Sequence, residues 1–359
     1  MRAVVFRHAL PYNENDSRFK ERFPENVTSE TRGAGAIASA RGKLGRGVVV
    51  GSRKGLRGFL WIGKVIVPVS LLVALVQWTG WLQQAEPVIG PAMAWLRLPS
   101  EAVLPIVTGM AVGSYAAIAA MTVLSFSIGQ MTLIAVFCMI AHSLIDEGII
   151  QHRSGIHVVK ITILRLVAAV ATVIVISPFL GDTTRSIAGS FAVATDVPFL
   201  SMLGDWGMGT LLLLLKVFAI ILAIMITLEC LTVLGWTRYM YAAARPILRV
   251  MGLPSRSAVM WVTAVVFGVM LGSSVILEEA RRGELSRGEL ERLHVSIGIN
   301  HSIVEDPALF MVLGLNGFWM WVPKIVAAAV VVHAMRLVTY LQGRLRRGDE
   351  SSSPGKGPL

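Results

Sequence analysis

The chain has 359 residues, of which 54% are hydrophobic and only 15% charged, with a mean hydropathy of +0.67 and a formal net charge of +11. A soluble domain carries about 25% charged residues, so this composition excludes an ordinary soluble domain and points to an integral membrane protein. The basic residues gather between apolar runs, which the positive-inside rule explains without a nucleic-acid partner.

Taken in chain order, residues 1–57 hold Arg, Lys, Gly, Ser, Asn and Glu and read as a disordered basic cytoplasmic tail. A start codon placed too far upstream would read the same way. Six apolar spans follow, at Phe59–Trp78, Ser127–Ile145, Val158–Leu180, Thr210–Leu234, Leu293–Leu313 and Phe318–Tyr340. About 20 apolar residues cross the hydrocarbon. Cys138 and Cys230 lie inside apolar runs and are expected to pack as small hydrophobes. Segments 82–97 and 237–251 read as helices lying in the interface; "TRYMYAAARPILRVMG" sets Arg238, Arg245 and Arg249 among Tyr, Met, Ile and Leu.

Two apolar segments, 99–124 and 254–277, are interrupted by Pro105, Gly109 and Gly113 and by Gly268, Gly272 and a Ser pair. Broken backbone at membrane depth is tolerated only when it is buried in protein or lines a cavity. Both are therefore expected to be re-entrant helical hairpins; a kinked ordinary helix is the plainer alternative. With hairpins that do not cross, Arg153, Arg245, Arg256, Arg282 and Arg344 share one side, and Arg97 and Arg185 lie opposite. That bias places both termini in the cytoplasm, in a multi-pass protein of the cell inner membrane.

The chain also repeats itself. Gly80-Trp81, Pro91, Leu98-Pro99-Ser100 and Thr108 recur 155 residues later as Gly235-Trp236, Pro246, Leu253-Pro254-Ser255 and Thr263. Beyond the hairpin the offset becomes 159, pairing Ser127 with Ser286, His142-Ser143 with His301-Ser302, Asp146-Glu147 with Glu305-Asp306, and Arg165 with Lys324. Gly113-Ser114 matches Gly272-Ser273, so one four-residue shift, between Thr108 and Gly113, accounts for the whole alignment. Three crossings per copy is odd, so the second copy is inverted. The expected fold is all-α, with six transmembrane helices plus two re-entrant hairpins in two inverted-topology repeats. The divisions are then 1–57 (tail), 58–182 (first repeat), 183–208 (external loop), 209–343 (second repeat) and 344–359 (polar cytoplasmic tail).

The amphipathic helix before "LPSE" or "LPSR", the Gly-containing hairpin, and the clusters "AHSLIDEG" and "NHSIVEDPALF" together resemble the nucleoside-recognition, or Gate, family over residues 58–343. The second cluster is the more specific signal. Related Gate modules occur in concentrative nucleoside transporters, in the membrane part of ferrous iron transporter B, and in spore maturation proteins A and B. The resemblance implies transport or gating by paired hairpins. It does not extend to a GTPase, since no phosphate-binding G-x-x-x-x-G-K-[ST] loop is present.

Candidate site residues follow. At the hairpin breaks, Thr108, Gly113, Ser114, Thr263, Gly272 and Ser273, with Asn300, would bind a small polar solute. On a helix His142 and Asp146 share a face, as do His301 and Glu305. These four, with Glu147 and Asp306, would couple a proton or sodium ion or ligate a divalent metal. Arg165 and Lys324 would neutralise the carboxylates. The clusters could equally be polar contacts that lock helices together, or lie wet at the interface. Glu229 finds no partner in this reading. No H-E-x-x-H or G-x-S-x-G occurs, and an enzyme is not expected. The functional expectation is a transporter of a small polar solute, perhaps a nucleoside, coupled to protons or sodium. The alternatives are a divalent-metal permease and a non-transporting gating subunit. The expected partners are the lipid bilayer, a solute or ion, and a second copy or a partner membrane subunit.

Overall fold

The computed structural model describes residues 32–181, 197–283 and 285–352, in which helices joined by short turns are the only regular elements described. The helices are α1 (Arg32–Trp78), α2 (Trp81–Trp95), α3 (Val103–Ala111), α4 (Ser114–Val123), α5 (Ile128–Ala141), α6 (Leu144–Arg153) and α7 (Val158–Ile176). There follow α8 (Phe199–Val233), α9 (Thr237–Val250), α10 (Ala258–Phe267), α11 (Val269–Arg282), α12 (Arg287–Asn300), α13 (Glu305–Met311) and α14 (Gly317–Ser352). Among the described residues, five helical stretches are long and apolar enough to cross a membrane: Gly42–Trp78, Ile128–Arg153, Val158–Leu180, Phe199–Val233 and Gly317–Leu345. Leu293–Leu313 is not among them, because it is divided between α12 and α13.

Helix α1 begins well inside the stretch that composition reads as a tail, and residues 32–57 are helical rather than disordered. The cause is a glycine seam. Gly47, Gly51 and Gly55 recur every four residues and so share one face. A Cβ on Gly51 would lie 2.6 Å from the Ile226 Cα; one on Gly47 would meet Cys230, and one on Gly55 would meet Leu222. The facing numbers rise on α1 as they fall on α8, so the two helices are antiparallel. The register continues through Phe59 against Phe218, edge to face at 4.9 Å, to Trp78 against Phe199 at 5.3 Å. Lys54 on α1 pairs with Glu229 on α8, which gives that acid its partner. Helix α8 also starts earlier than its most apolar stretch. Residues 199–208, expected in an external loop, are helical because Met202 is buried and Trp206 donates to the Ser70 hydroxyl. At the far end α14 runs on through 344–352; residues 1–31, 182–196, 284 and 353–359 lie outside the described residues.

Both interrupted segments double back. Gly109 on α3 stands against Ala117 on α4, although residues eight apart on a straight helix are separated by about 12 Å. Gly272 on α11 likewise stands against Ala264 on α10. The tips are Gly113 at φ 128° and Gly268 at φ 94°, conformations that favour glycine. These tips are 155 residues apart. The change of offset therefore lies beyond the tip and not between Thr108 and Gly113: α11 has fourteen residues where α4 has ten. Gly272 and Ser273 consequently sit one turn down the second arm and are not the tip.

The offset of 159 is established by the next helix start. Ser127 caps α5 and Ser286 caps α12, each in a reciprocal box with the residue three further on, Gln130 or Glu289. Glu289 also receives Arg256 Nη2 at 2.7 and 2.8 Å. Partial burial pushes its carboxyl up, but the Ser286 amide and hydroxyl and Arg256 outweigh it and hold the carboxyl below the usual range.

Two outcomes are expected in thermal unfolding of the detergent-purified protein. Gly51→Ala should lower stability by roughly 1–3 kcal/mol through overpacking, whereas Gly45→Ala, with open space around it, should not. A depressed folded-state pKa stabilises above the unfolded value and loses that stabilisation as pH falls through the folded value. Acidification below about pH 4.3 should therefore remove the Glu289 contribution, and Glu289→Gln should flatten that acid limb.

Candidate functional site

Helix α5 stops at Ala141. His142 is extended, Ser143 is left-handed at φ 50°, and α6 restarts at Leu144. Helix α12 stops at Asn300 in the same way: His301 is extended, Ser302 is left-handed at φ 53°, and α13 begins at Glu305. A non-glycine residue at positive φ is uncommon, and its recurrence at matched positions marks a built break. Each break is tied to the first arm of its own hairpin, by Ser143 N–H donating to Gly109 O at 3.1 Å and Ile303 N–H donating to Val265 O at 3.0 Å. The Gly113 tip lies against the Ser143 side chain, so a Cβ there would come within 2.8 Å of Ser143 Oγ.

A broken helix exposes carbonyl oxygens at its C-terminal end and N–H groups at the next N-terminal end, with partial negative and positive charge respectively. Cations and carboxylates are placed accordingly. Arg165, from α7 and 1% exposed, donates from Nε to Ile140 O and from Nη2 to His142 O, each at 2.9 Å. Lys324, from α14 and also 1% exposed, donates to His301 O at 2.9 Å. Glu147 and Asp306, both buried, lie in the first turns of α6 and α13. Arg165 Nη1 lies 2.8 Å from Glu147 Oε1. Arg165 thus lies against a carboxylate, while the hydrogen bond of Lys324 goes to a carbonyl.

The histidines cross between the halves. His142 Nε2 lies 3.2 Å from Asp306 Oδ2, and His301 Nδ1 lies 3.3 Å from Glu147 Oε1. The two imidazoles stack at 4.2 Å between centroids. His142 Nδ1 faces Cys138 O at 2.9 Å and His301 Nδ1 faces Gly298 O at 3.0 Å. A carbonyl only accepts, so these contacts assign the proton of each neutral ring to Nδ1. Gly298 is needed here for space: a Cβ would fall 2.8 Å from Glu147 Oε2 and 3.2 Å from Arg165 Cδ.

The carboxylate partners therefore differ from those the i+4 spacing implies. Asp146 is exposed, and Glu305 accepts from the Tyr115 hydroxyl on α4. The four-residue rule holds on a continuous helix, and the left-handed serine stops the helix between each histidine and its acid. Of the solute candidates, Thr108 and Thr263 donate to the carbonyls of Leu104 and Val259 on their own helices. Gly113 and Ser114 reach the breaks; Gly272 and Ser273 do not lie at the tip. Asn300 is fully buried, and among the described residues neither amide atom has a hydrogen-bond partner. The buried Ser114 hydroxyl faces Asp306 but lacks hydrogen-bond geometry to it. Tyr115, Gly298 and the Cys138 carbonyl are site groups that sequence reading misses; adjacency to the Gly113-Ser114 tip and the i−4 relation to His142 are their only signals. A groove of about 690 Å³ lies elsewhere, between α7 and α14, and its walls, such as Phe179, Trp319 and Val326, are apolar.

The comparisons bear on the first half. Residues 59–183 match the family model described as Gate, nucleoside recognition, so the resemblance is met over that span. The cluster "NHSIVEDPALF", the more specific signal by sequence, lies outside it. The chain is similar to an uncharacterized membrane protein, YvoD, of Bacillus subtilis (strain 168), at 27% identity over 277 residues, covering 76% of this chain and 89% of that protein. No solved structure matches. This is a membrane protein with several apolar helices, in which residues 59–183 are similar to the Gate family.

Removing one member of a buried ion pair costs about 3–5 kcal/mol, whereas an exposed pair contributes about 0–1 kcal/mol. Arg165→Gln should accordingly destabilise the protein severely in a thermal melt. Arg282→Gln, which breaks the exposed pair with Glu278, should leave the melt nearly unchanged.

Proposed function

We propose that this protein is a Gate-type permease in which a small cation passes, or is exchanged, where the two broken helices meet. One observation carries this reading: the ionisable groups of each break are partnered by the other half, His142 with Asp306 and His301 with Glu147. Buried ionisable groups within apolar helices are costly and mark pathways by default. Any movement of one half against the other must break both contacts, so an ion held there would report on, and be released by, that movement.

The antiparallel run of α1 against α8, which occupy matching places in the two halves, supports inverted repeats. Three long stretches then fall to each half, counting α12 with α13 as a broken crossing. The helical hairpins are read as re-entrant, with their tips at the breaks, and both termini as cytoplasmic. A nucleoside is the second reading, favoured by the description of the matched family. It gains nothing from Thr108 and Thr263, whose hydroxyls are engaged within their own helices.

The test is flux in proteoliposomes carrying an internal pH dye and assayed for current, with sodium, divalent cations and uridine added in turn. Cation-dependent current or proton flux is expected, abolished by Asp306→Asn and kept by Asp146→Asn. Flux driven by uridine alone, or surviving Asp306→Asn, would overturn the cation reading.

A further inference from the structure

We propose that His142, His301 and Asp306 form a binding site for one divalent transition-metal cation. The proposal deepens the permease reading and rests on it for the ion's role, though not for its binding. One ligand atom from each of the three residues lies within 4.8 Å of the others, and all three residues are buried.

The geometry of His142 carries the argument. Its Nδ1 proton is committed to Cys138 O, which turns the Nε2 lone pair toward Asp306 Oδ2 at 3.2 Å. Two lone pairs facing each other in a dry interior repel unless positive charge lies between them. Ligands held about 2.1 Å from a metal stand roughly 3.0–3.4 Å apart, so the observed separation is that of two neighbouring ligands. His301 is prepared in the same way. Its Nδ1 is engaged by Gly298 O and Glu147, which leaves Nε2 as its ligand atom. A metal-bound histidine characteristically donates its other ring N–H to a carbonyl or carboxylate, and both rings have such a partner in place.

Two buried polar groups beside the cluster have unmet capacity. The Ser114 hydroxyl faces Asp306, and both amide atoms of Asn300, the residue before His301, are unpaired among the described residues. The Ser114 hydroxyl, which faces Asp306, can supply an oxygen ligand or hold a metal-bound water. Two imidazoles and one carboxylate suit manganese, iron, cobalt, nickel or zinc, while sodium, magnesium and calcium prefer oxygen alone. Arg165 and Lys324 stand close enough to weaken the ion's hold, which suits an ion that must leave again. The ligands come from both halves, so binding fastens one half to the other.

The test uses the full chain in detergent, stripped with EDTA and titrated with cobalt(II), zinc(II) and magnesium(II). We expect one cobalt per chain, seen in its visible d–d absorption and by calorimetry, with zinc competing and magnesium not. His142→Gln and Asp306→Asn should weaken binding at least ~10-fold. Asp146→Asn and the surface variant His152→Gln should not. Asp306→Cys keeps a ligand at the same place and should add a sulfur-to-cobalt charge-transfer band, a gain of signal that a misfolded protein cannot give. Absence of stoichiometric binding, binding unchanged in Asp306→Asn, magnesium competing as well as zinc, or no new band in Asp306→Cys would overturn the proposal. Metal bound in detergent without flux in liposomes would sink the permease reading and leave the site. Flux without metal binding would do the reverse.

Discussion

A helix that ends inside a protein leaves carbonyl oxygens that neither the helix nor water can satisfy. This fold contains two such ends, at Ala141 and Asn300, and much of the interior follows from them. A buried arginine and a buried lysine reach from α7 and α14 to the orphan carbonyls. Those cations are tolerable only with carboxylates nearby, and the restarting helices present Glu147 and Asp306 at their positive ends. With both imidazoles neutral, these four formal charges cancel. The histidines sit at the C-caps themselves, so one requirement for closing two helix ends brings six ionisable side chains together.

The scaffold that holds the breaks is built from small residues. The glycine seam lets α1 and α8 approach closely from Gly47 to Gly55, and each hairpin closes on a glycine–alanine pair. The pairs are arranged in opposite senses: Gly109 with Ala117 on one hairpin, Ala264 with Gly272 on the other. The two halves share a plan but differ in detail. Glu305 is held by Tyr115 while its counterpart Asp146 faces outward, and Gly298 makes room for the Arg165–Glu147 pair at the position matched by the bulky Met139. The two halves are therefore not equivalent at the site.

Much of the site is legible as a pattern. The recurrence of His-Ser, of two acids and of a basic residue at one offset is enough to single out His142, Asp146, Glu147, His301, Glu305, Asp306, Arg165 and Lys324, but not to say which acid of each pair is buried with the histidines. The pairing is not legible, because a helix break between histidine and acid turns an i+4 relation into an i+5 relation across halves. The hairpin alignment fails for a related reason. Gly272-Ser273 and Gly268 are equally good tips by composition, and only the position of the reversal distinguishes them. Composition misplaces residues 32–57 because glycine lowers apparent order in isolation, yet it is the residue that close helix packing demands.

Hydropathy alone thus determined an all-helical membrane protein, and repetition of short motifs marked its charged clusters at matched places. Both signals are local or periodic, and the chain carries them without folding. The tertiary structure decided which half each histidine answers to, which acid is buried and which exposed, and where the hairpins turn. Those outcomes depend on groups more than a hundred residues apart meeting in a dry interior, where an unpaired charge or carbonyl is too costly to leave alone.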